Sequence, residues 1–464
     1  MINSNNSRIF NYINYFTLAC IVPIAYFAPL GEWLLLSCFA LSTIIKLILN
    51  NFTIKLYNYY ILLISIFLLI ISYFWSINPE RTLEVILPTS GILISIYIIL
   101  NISSSNITKN VHNIVGIPLL LTSLCIFLDL VFNTEIRSSL ALLVGDKPTS
   151  ISGNFSRGII IISIILPIST ALYIHTKKYI LAFILMGLAS TVVFLGPNES
   201  AKIALIFSCF SALIIYFLGP KSFVAFGIIS LIIIIFNPLF SISVLPKIVQ
   251  LEKIIEIAAP CTDDGAKIIT NDKLKNNKDI SRLILEFEKI KSDSPVPKKI
   301  IKLLNENNIK CSRNLQWQKT RPGVSIMHRF LIWKYVAKEI SKKPILGHGI
   351  GTSRFIGQNI ILNIPNTKLE IKGGIPLHPH NNFLEIWLEL GLLGIIITSL
   401  LWINIIKIGT NIRKHSYVLG TGSCSSIVAI FVVSNLSFGA FQAWWMASIG
   451  LIFLVIFQAT KYKN

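Results

Sequence analysis

Runs of about 17–25 apolar residues recur along this chain, each long enough to cross a hydrocarbon core of roughly 30 Å. A backbone surrounded by lipid must satisfy its own N–H and C=O groups, so runs of this length fold as helices. They fall near 13–30, 33–49, 58–75, 85–100, 113–131, 158–174, 180–196, 201–218, 223–243, 383–406, 417–438 and 443–460, about twelve spans. The chain is 53% hydrophobic and 13% charged, with a mean hydropathy of +0.70, which excludes an ordinary soluble domain. The expectation is an all-α integral membrane protein. The first apolar segment lacks a small-residue cleavage site and is followed at once by another span, so it does not read as a cleavable signal peptide.

Charge in the short loops sets the orientation. Arg8, Lys46, Lys55, Lys109, Lys177, Lys178, Lys221, Lys407, Arg413, Lys414, Lys461 and Lys463 fall on one side, with no Asp or Glu among them. Glu32, Glu80, Arg81, Glu135, Arg137, Asp146, Lys147 and Glu199 fall on the other. The positive-inside rule makes the first side cytoplasmic and places both termini there. The sequence thus divides into helices 1–9 over 1–244, one large external insert over 245–377 between spans 9 and 10, and a closing region over 378–464. In a cell with two membranes the insert is periplasmic. Its apolar spacing (Leu283, Ile284, Phe287, Ile290; then Ile300, Ile301, Leu303, Leu304) predicts amphipathic helices, and a further helix is expected over Ser325 to Ser341.

The formal net charge is +20, carried by the cytoplasmic loops and the insert. An external basic surface suits acidic partners such as lipid headgroups or pyrophosphate, although lysine also fills any solvated position. No basic stretch is interleaved with aromatics on the cytoplasmic side, which argues against nucleic acid. Of the seven cysteines, Cys20, Cys38, Cys125, Cys209 and Cys424 sit in apolar spans as small packing residues. Cys261 and Cys311 are the pair in the insert, and an even pair in an oxidising compartment reads as a disulfide. Neither has metal-ligand spacing around it, so no metal site is expected.

Polar chemistry concentrates between Gly347 and Gly394: G-H-G-I-G-T-S-R-F, a spacer, then H-P-H-N-N-F-L-E-I-W-L-E-L-G-L-L-G from His378. Titratable groups at a membrane helix mouth are expensive and usually functional. A lone histidine there is ordinarily a hydrogen-bonded interfacial residue. Here Asn381 is a good N-cap, and the helix after it points its positive end at His380, which favours the neutral imidazole that a general base needs. Pro379 restricts His378 to extended geometry, making it a positioning partner. Glu385 and Glu389 share a helical face at i,i+4; they could serve acid–base chemistry, but orienting a neighbouring His or Arg is preferred.

Gly347, Gly349 and Gly351 could present N–H groups to phosphate, though tight turns explain them as simply. Arg329, in H-R-F-L-I-W-K, carries the planar fork that suits pyrophosphate; on charge alone it could equally be a helix-surface arginine. Arg157 and Lys202 open the sixth and eighth spans at the level of His380, where they either snorkel or neutralise a departing anion.

Arg329 followed by Trp333 and P-I-L-G-H-G-I-G, with the His378–Gly394 motif, resembles the signature of the O-antigen ligase and polymerase superfamily. The early W-S-I-N-P-E-R (Trp75 to Arg81) is similar to it as well, while Ala201-Lys202 stands where relatives often have Ser-Arg. The resemblance implies a GT-C-like bundle in the bacterial inner membrane and an inverting glycosyl transfer without metal, nucleotide or other cofactor. The donor would be an undecaprenyl-pyrophosphate-linked glycan and the acceptor a lipid A-core. It implies catalytic His380 and Arg329, with Arg157, Lys202, His378, Asn381, Glu385, Glu389 and Gly349 contacting substrate. Ligase is preferred over O-antigen polymerase and protein O-oligosaccharyltransferase. A transporter or flippase is the reading from another class, disfavoured because no internal repeat is found and the polar cluster lies at the outer edge.

Overall fold

The computed structural model describes residues 4–50, 59–102, 110–132, 136, 138–139, 142, 153–244, 322–358, 360–363 and 370–460. Each expected apolar run falls on a helix: α1 (Ser4–Phe27), α2 (Glu32–Asn50), α3 (Tyr59–Ile71), α4 (Pro79–Ile102), α5 (Val111–Val131), α6 (Gly153–His175), α7 (Tyr179–Leu195), α8 (Glu199–Leu218) and α9 (Pro220–Leu239). After α10 (Pro322–Lys342) come α11 (Asn382–His415), α12 (Tyr417–Leu436) and α13 (Ala443–Thr460). Among the described residues nine helices are long and apolar enough to cross a membrane; Tyr59–Trp75, Tyr179–Leu195 and Ala443–Ala459 are shorter apolar helices. The protein is an all-α integral membrane protein, with one short antiparallel ladder described below.

The chain divides into two compact units. The first comprises Met1–Pro238, Val336–Phe355 and Leu377–Asn464, the second Leu239–Tyr335 and Ile356–Pro376. Val336–Phe355 packs with the membrane helices of the first unit. In the first unit α6 and α12 are the inner spans: 83% and 89% of their apolar windows are buried, against 28% for α8 and α9. Small residues let α6 and α12 close up. A side chain at Gly422 would meet Ala171 Cβ at 2.4 Å and Pro167 O at 2.8 Å.

The span expected over 383–406 lies within α11, and the structure adds a break that the apolar pattern did not reveal. Inside α11, Gly391 takes φ 62° and ψ −154°, which breaks the helix. The 344–351 loop docks at the break. His348 N donates to Leu388 O and Gly349 N to Glu389 O, both at 2.9 Å, and Leu392 N donates to Pro344 O at 2.9 Å. The loop thus satisfies the backbone groups that the break releases, as a discontinuous helix in lipid requires.

In the second unit, β1 (Ile361–Asn363) pairs antiparallel with β2 (Glu370–Lys372), in register Ile361↔Lys372. Tyr335 packs against Gly357 and Gly374, and Phe330 meets Trp333 edge to face at 5.3 Å. α10 covers and slightly extends the helix expected over 325–341. The expected helices around Leu283 and Ile300, and both Cys261 and Cys311, lie outside the described residues.

Candidate active site

The loop 377–381 delivers two histidines to the start of α11. Asn381 caps the helix, its Oδ1 accepting from Phe383 N at 3.0 Å and Leu384 N at 3.1 Å. The residue before it, His380, has φ 57°, the left-handed region that non-glycine residues rarely enter without a functional reason. What holds it there includes its own ring, whose Nδ1 lies 2.7 Å from Ser437 O, just past the end of α12. A carbonyl can only accept, so Nδ1 carries the proton; in the neutral ring the lone pair is therefore on Nε2. Sequence reasoning singled out His380 and Asn381 but had no signal for Ser437, because a backbone carbonyl leaves none.

His378 lies beside His380, ring centroids 4.4 Å apart. From it a chain of contacts reaches the cation at the start of α6. Gln442 Nε2 is 3.4 Å from His378 Nε2, Gln442 Oε1 accepts from Trp444 Nε1 at 3.0 Å, and the Arg157 guanidinium sits 4.9 Å from the centre of the Trp444 ring. Arg157 and the histidine pair thus belong to one connected cluster. Lys202 pairs with Glu199 at 2.9 Å on the first turn of α8, and Ser200 on the same turn donates to Leu436 O, one residue before Ser437. Asn381 Nδ2 donates to Asn237 Oδ1 at 3.4 Å, and Asn237 Nδ2 to Asn435 Oδ1 at 3.3 Å, tying α9 and α12 to the same corner. Arg329 belongs to the second unit, on α10; it is half-buried there, and burial pulls its guanidinium below its usual value.

The two carboxylates do something other than hold a His or Arg by hydrogen bonds. Glu385 accepts from Ala440 N in the turn before Gln442, with the Arg354 guanidinium acting on it through space. Gly439 makes that approach possible, since a Cβ there would stand 2.8 Å from Glu385 Oε2 and 3.1 Å from His378 Cβ. Glu389, fully buried, accepts from Gly351 N at 2.6 Å and from Ser353 N and Oγ at 2.9 and 2.6 Å. It anchors the glycine loop. Of the two readings of the glycines, phosphate contact or tight turn, the Gly349 N–H fits the second: it donates to Glu389 O, and a Cβ at Gly349 would lie 2.6 Å from Ser76 Oγ. Arg354, carried by the Ser353 anchor into this neighbourhood, is a cation the sequence reading quoted without assigning it a role.

Residues 184–399 match the family model described as O-Antigen ligase. Those residues are similar to the O-antigen ligase domain. Three curated relatives bear the name "Putative polysaccharide ligase". One from Rickettsia prowazekii (strain Madrid E) is 35% identical over 148 residues, 32% of this chain and 35% of the relative. One from Rickettsia felis (strain ATCC VR-1525 / URRWXCal2) is 37% identical over 139 residues, 30% and 33%. One from Rickettsia typhi (strain ATCC VR-144 / Wilmington) is 36% identical over 141 residues, again 30% and 33%. The chain spans about a third of the length of the curated relatives it matches. The matched stretch contains Lys202, Arg329 and the His378–Glu389 motif, whereas Arg157, Ser437, Gln442 and Trp444 lie outside it. A polar glutamine beside a Trp pair at the mouth of an apolar span was the signal available for the last two.

Proposed function

We propose that this ligase-type glycosyltransferase moves a glycan from undecaprenyl pyrophosphate to a lipid A-core acceptor at the periplasmic face of the bacterial inner membrane, with His380 as general base. The observation that carries the reading is the Ser437 carbonyl on His380 Nδ1, which leaves Nε2 as the basic atom. Nε2 takes the proton of the acceptor hydroxyl as its oxygen attacks the anomeric carbon from the face opposite the leaving group. The bond from that carbon to the pyrophosphate oxygen breaks, its electron pair leaves with undecaprenyl pyrophosphate, and the configuration inverts. The imidazolium that forms keeps its Nδ1–H on Ser437 O. Arg157 and Lys202, with Arg329 from the second unit, neutralise the two or so negative charges of the departing group, and Arg329 adds a bidentate fork. The name borne by the curated relatives favours ligase over polymerase and protein glycosylation.

The test is reconstitution with defined lipid-pyrophosphate glycan and rough lipopolysaccharide. His380→Ala should lose about two to four orders of magnitude in turnover while still binding donor. Arg329→Lys should lose both turnover and donor affinity, because an ammonium cannot reproduce the fork. Activity should survive EDTA. Near-normal transfer by His380→Ala, or activity abolished by chelation and restored by a divalent ion, would overturn this chemistry.

A further inference from the structure

We infer that Gln442 is a positioning residue that fixes His378 as a neutral imidazole with its proton on Nδ1, so that no cation stands against the base. The argument starts at Trp444. An indole N–H donates and never accepts, so the Gln442 atom 3.0 Å from Trp444 Nε1 must be the carbonyl oxygen. The side-chain amide is thereby oriented, and its NH₂ faces His378 Nε2 at 3.4 Å. An NH₂ group can only donate, so His378 Nε2 must offer a lone pair. Protonating it would set two donors face to face. Trp444 is itself fixed: it is buried, packs edge to face on Phe438 at 4.5 Å and has the Arg157 guanidinium 4.9 Å from its ring centre.

This matters to His380 because the two rings lie 4.4 Å apart. A charged His378 would make His380 a weaker base. The charged and titratable groups facing His378 are His380 from its own loop, Glu385 on α11 across Gly439, Arg157 on α6 beyond Trp444, and Arg354 beyond Glu385. Arg157 and the Gln442 amide oppose a proton on His378, while Glu385 favours one. Gln442 is in direct contact with His378 Nε2, and its NH₂ favours a lone pair there. The tautomer is inferred from the donor that faces Nε2; its consequence for turnover rests on reading His380 as the base.

Nitrogen-15 NMR of histidine-labelled full-length protein in micelles tests this directly, with the His378 signals assigned by their loss in His378→Gln. At pH 7 the wild-type His378 should be neutral with its proton on Nδ1. In Gln442→Glu, a carboxylate facing Nε2 should raise its titration midpoint by about one pH unit, and Trp444 can still donate to the new side chain. If that variant does not fold, Gln442→Met removes the opposing donor and should raise the midpoint less. An imidazolium or an Nε2–H tautomer in the wild type, or an unchanged midpoint in a folded variant, overturns the inference. In turnover, the acidic limb of the pH–rate profile should move up with Gln442→Glu and stay put when His378→Gln is added; a shift that persists without His378 also overturns it. A wild-type protein that transfers no glycan would sink the proposed activity instead, and the imidazole titration would still decide the role of Gln442.

Discussion

At the scale of single residues, the structure divides its polar groups into those that hold the backbone and those left to act. His348 is of the first kind. It is buried beneath the glycine loop with Nε2 3.4 Å from Glu339 O. Burial pushes its imidazole below the usual range; the Glu339 contact opposes this, while Lys343 and Lys342 reinforce it. Since the folded value is the depressed one, the unfolded chain takes up this proton first as pH falls below about 6.5, and stability falls with it. Thermal unfolding of the purified protein should drop on acidification through that window, and His348→Gln should flatten the drop. His380 and Asn381 were legible in the sequence because a histidine next to an N-cap is a local pattern. Ser437 was not, and Gln442 and Trp444 showed only as a polar residue beside a Trp pair, because their relation to the histidines exists only after α12 and α13 have packed. The carboxylate of Glu389 was visible, but its partners are backbone N–H groups, which every sequence hides.

At the scale of elements, hydropathy located the apolar helices because length and composition alone specify them in lipid. It missed the break in α11, since Leu390-Gly391-Leu392-Leu393 reads as part of an apolar span and only the docked loop selects φ 62° at Gly391. A Cβ there would stand 2.3 Å from Ile345 O, so Gly391→Ala must either move the loop or straighten the helix. The expected cost is on the order of 3 kcal/mol, read as a lowered unfolding temperature in detergent. Ser353→Ala, which removes the 2.6 Å hydroxyl bond to Glu389 but keeps the backbone, should cost about 1 kcal/mol in the same assay.

At the scale of the whole molecule, the basic residues between spans predict that Asn464 and the last turns of α11 (407–415) face the cytoplasm while residues near Asn276 face outward. Reporter fusions at Asn464 and near Asn276 should give opposite signals; matching signals would put the span count off by an odd number. In the oxidising compartment that this orientation assigns, Cys261 and Cys311 should be disulfide-linked, closing about fifty residues with a gain on the order of 4 kcal/mol. Two alkylatable thiols in non-reduced protein would end that proposal. The bond between His380 and Ser437 also has a meaning in time. The segment from Ser437 to Trp444 leaves the ribosome after the rest of the site, so a growing chain already carries both histidines, its cations and its glycine loop while His380 lacks the carbonyl that aims it. On the proposed chemistry, a nascent protein held in the insertion machinery cannot consume lipid-linked glycan: the order of synthesis keeps the enzyme off until its last piece arrives.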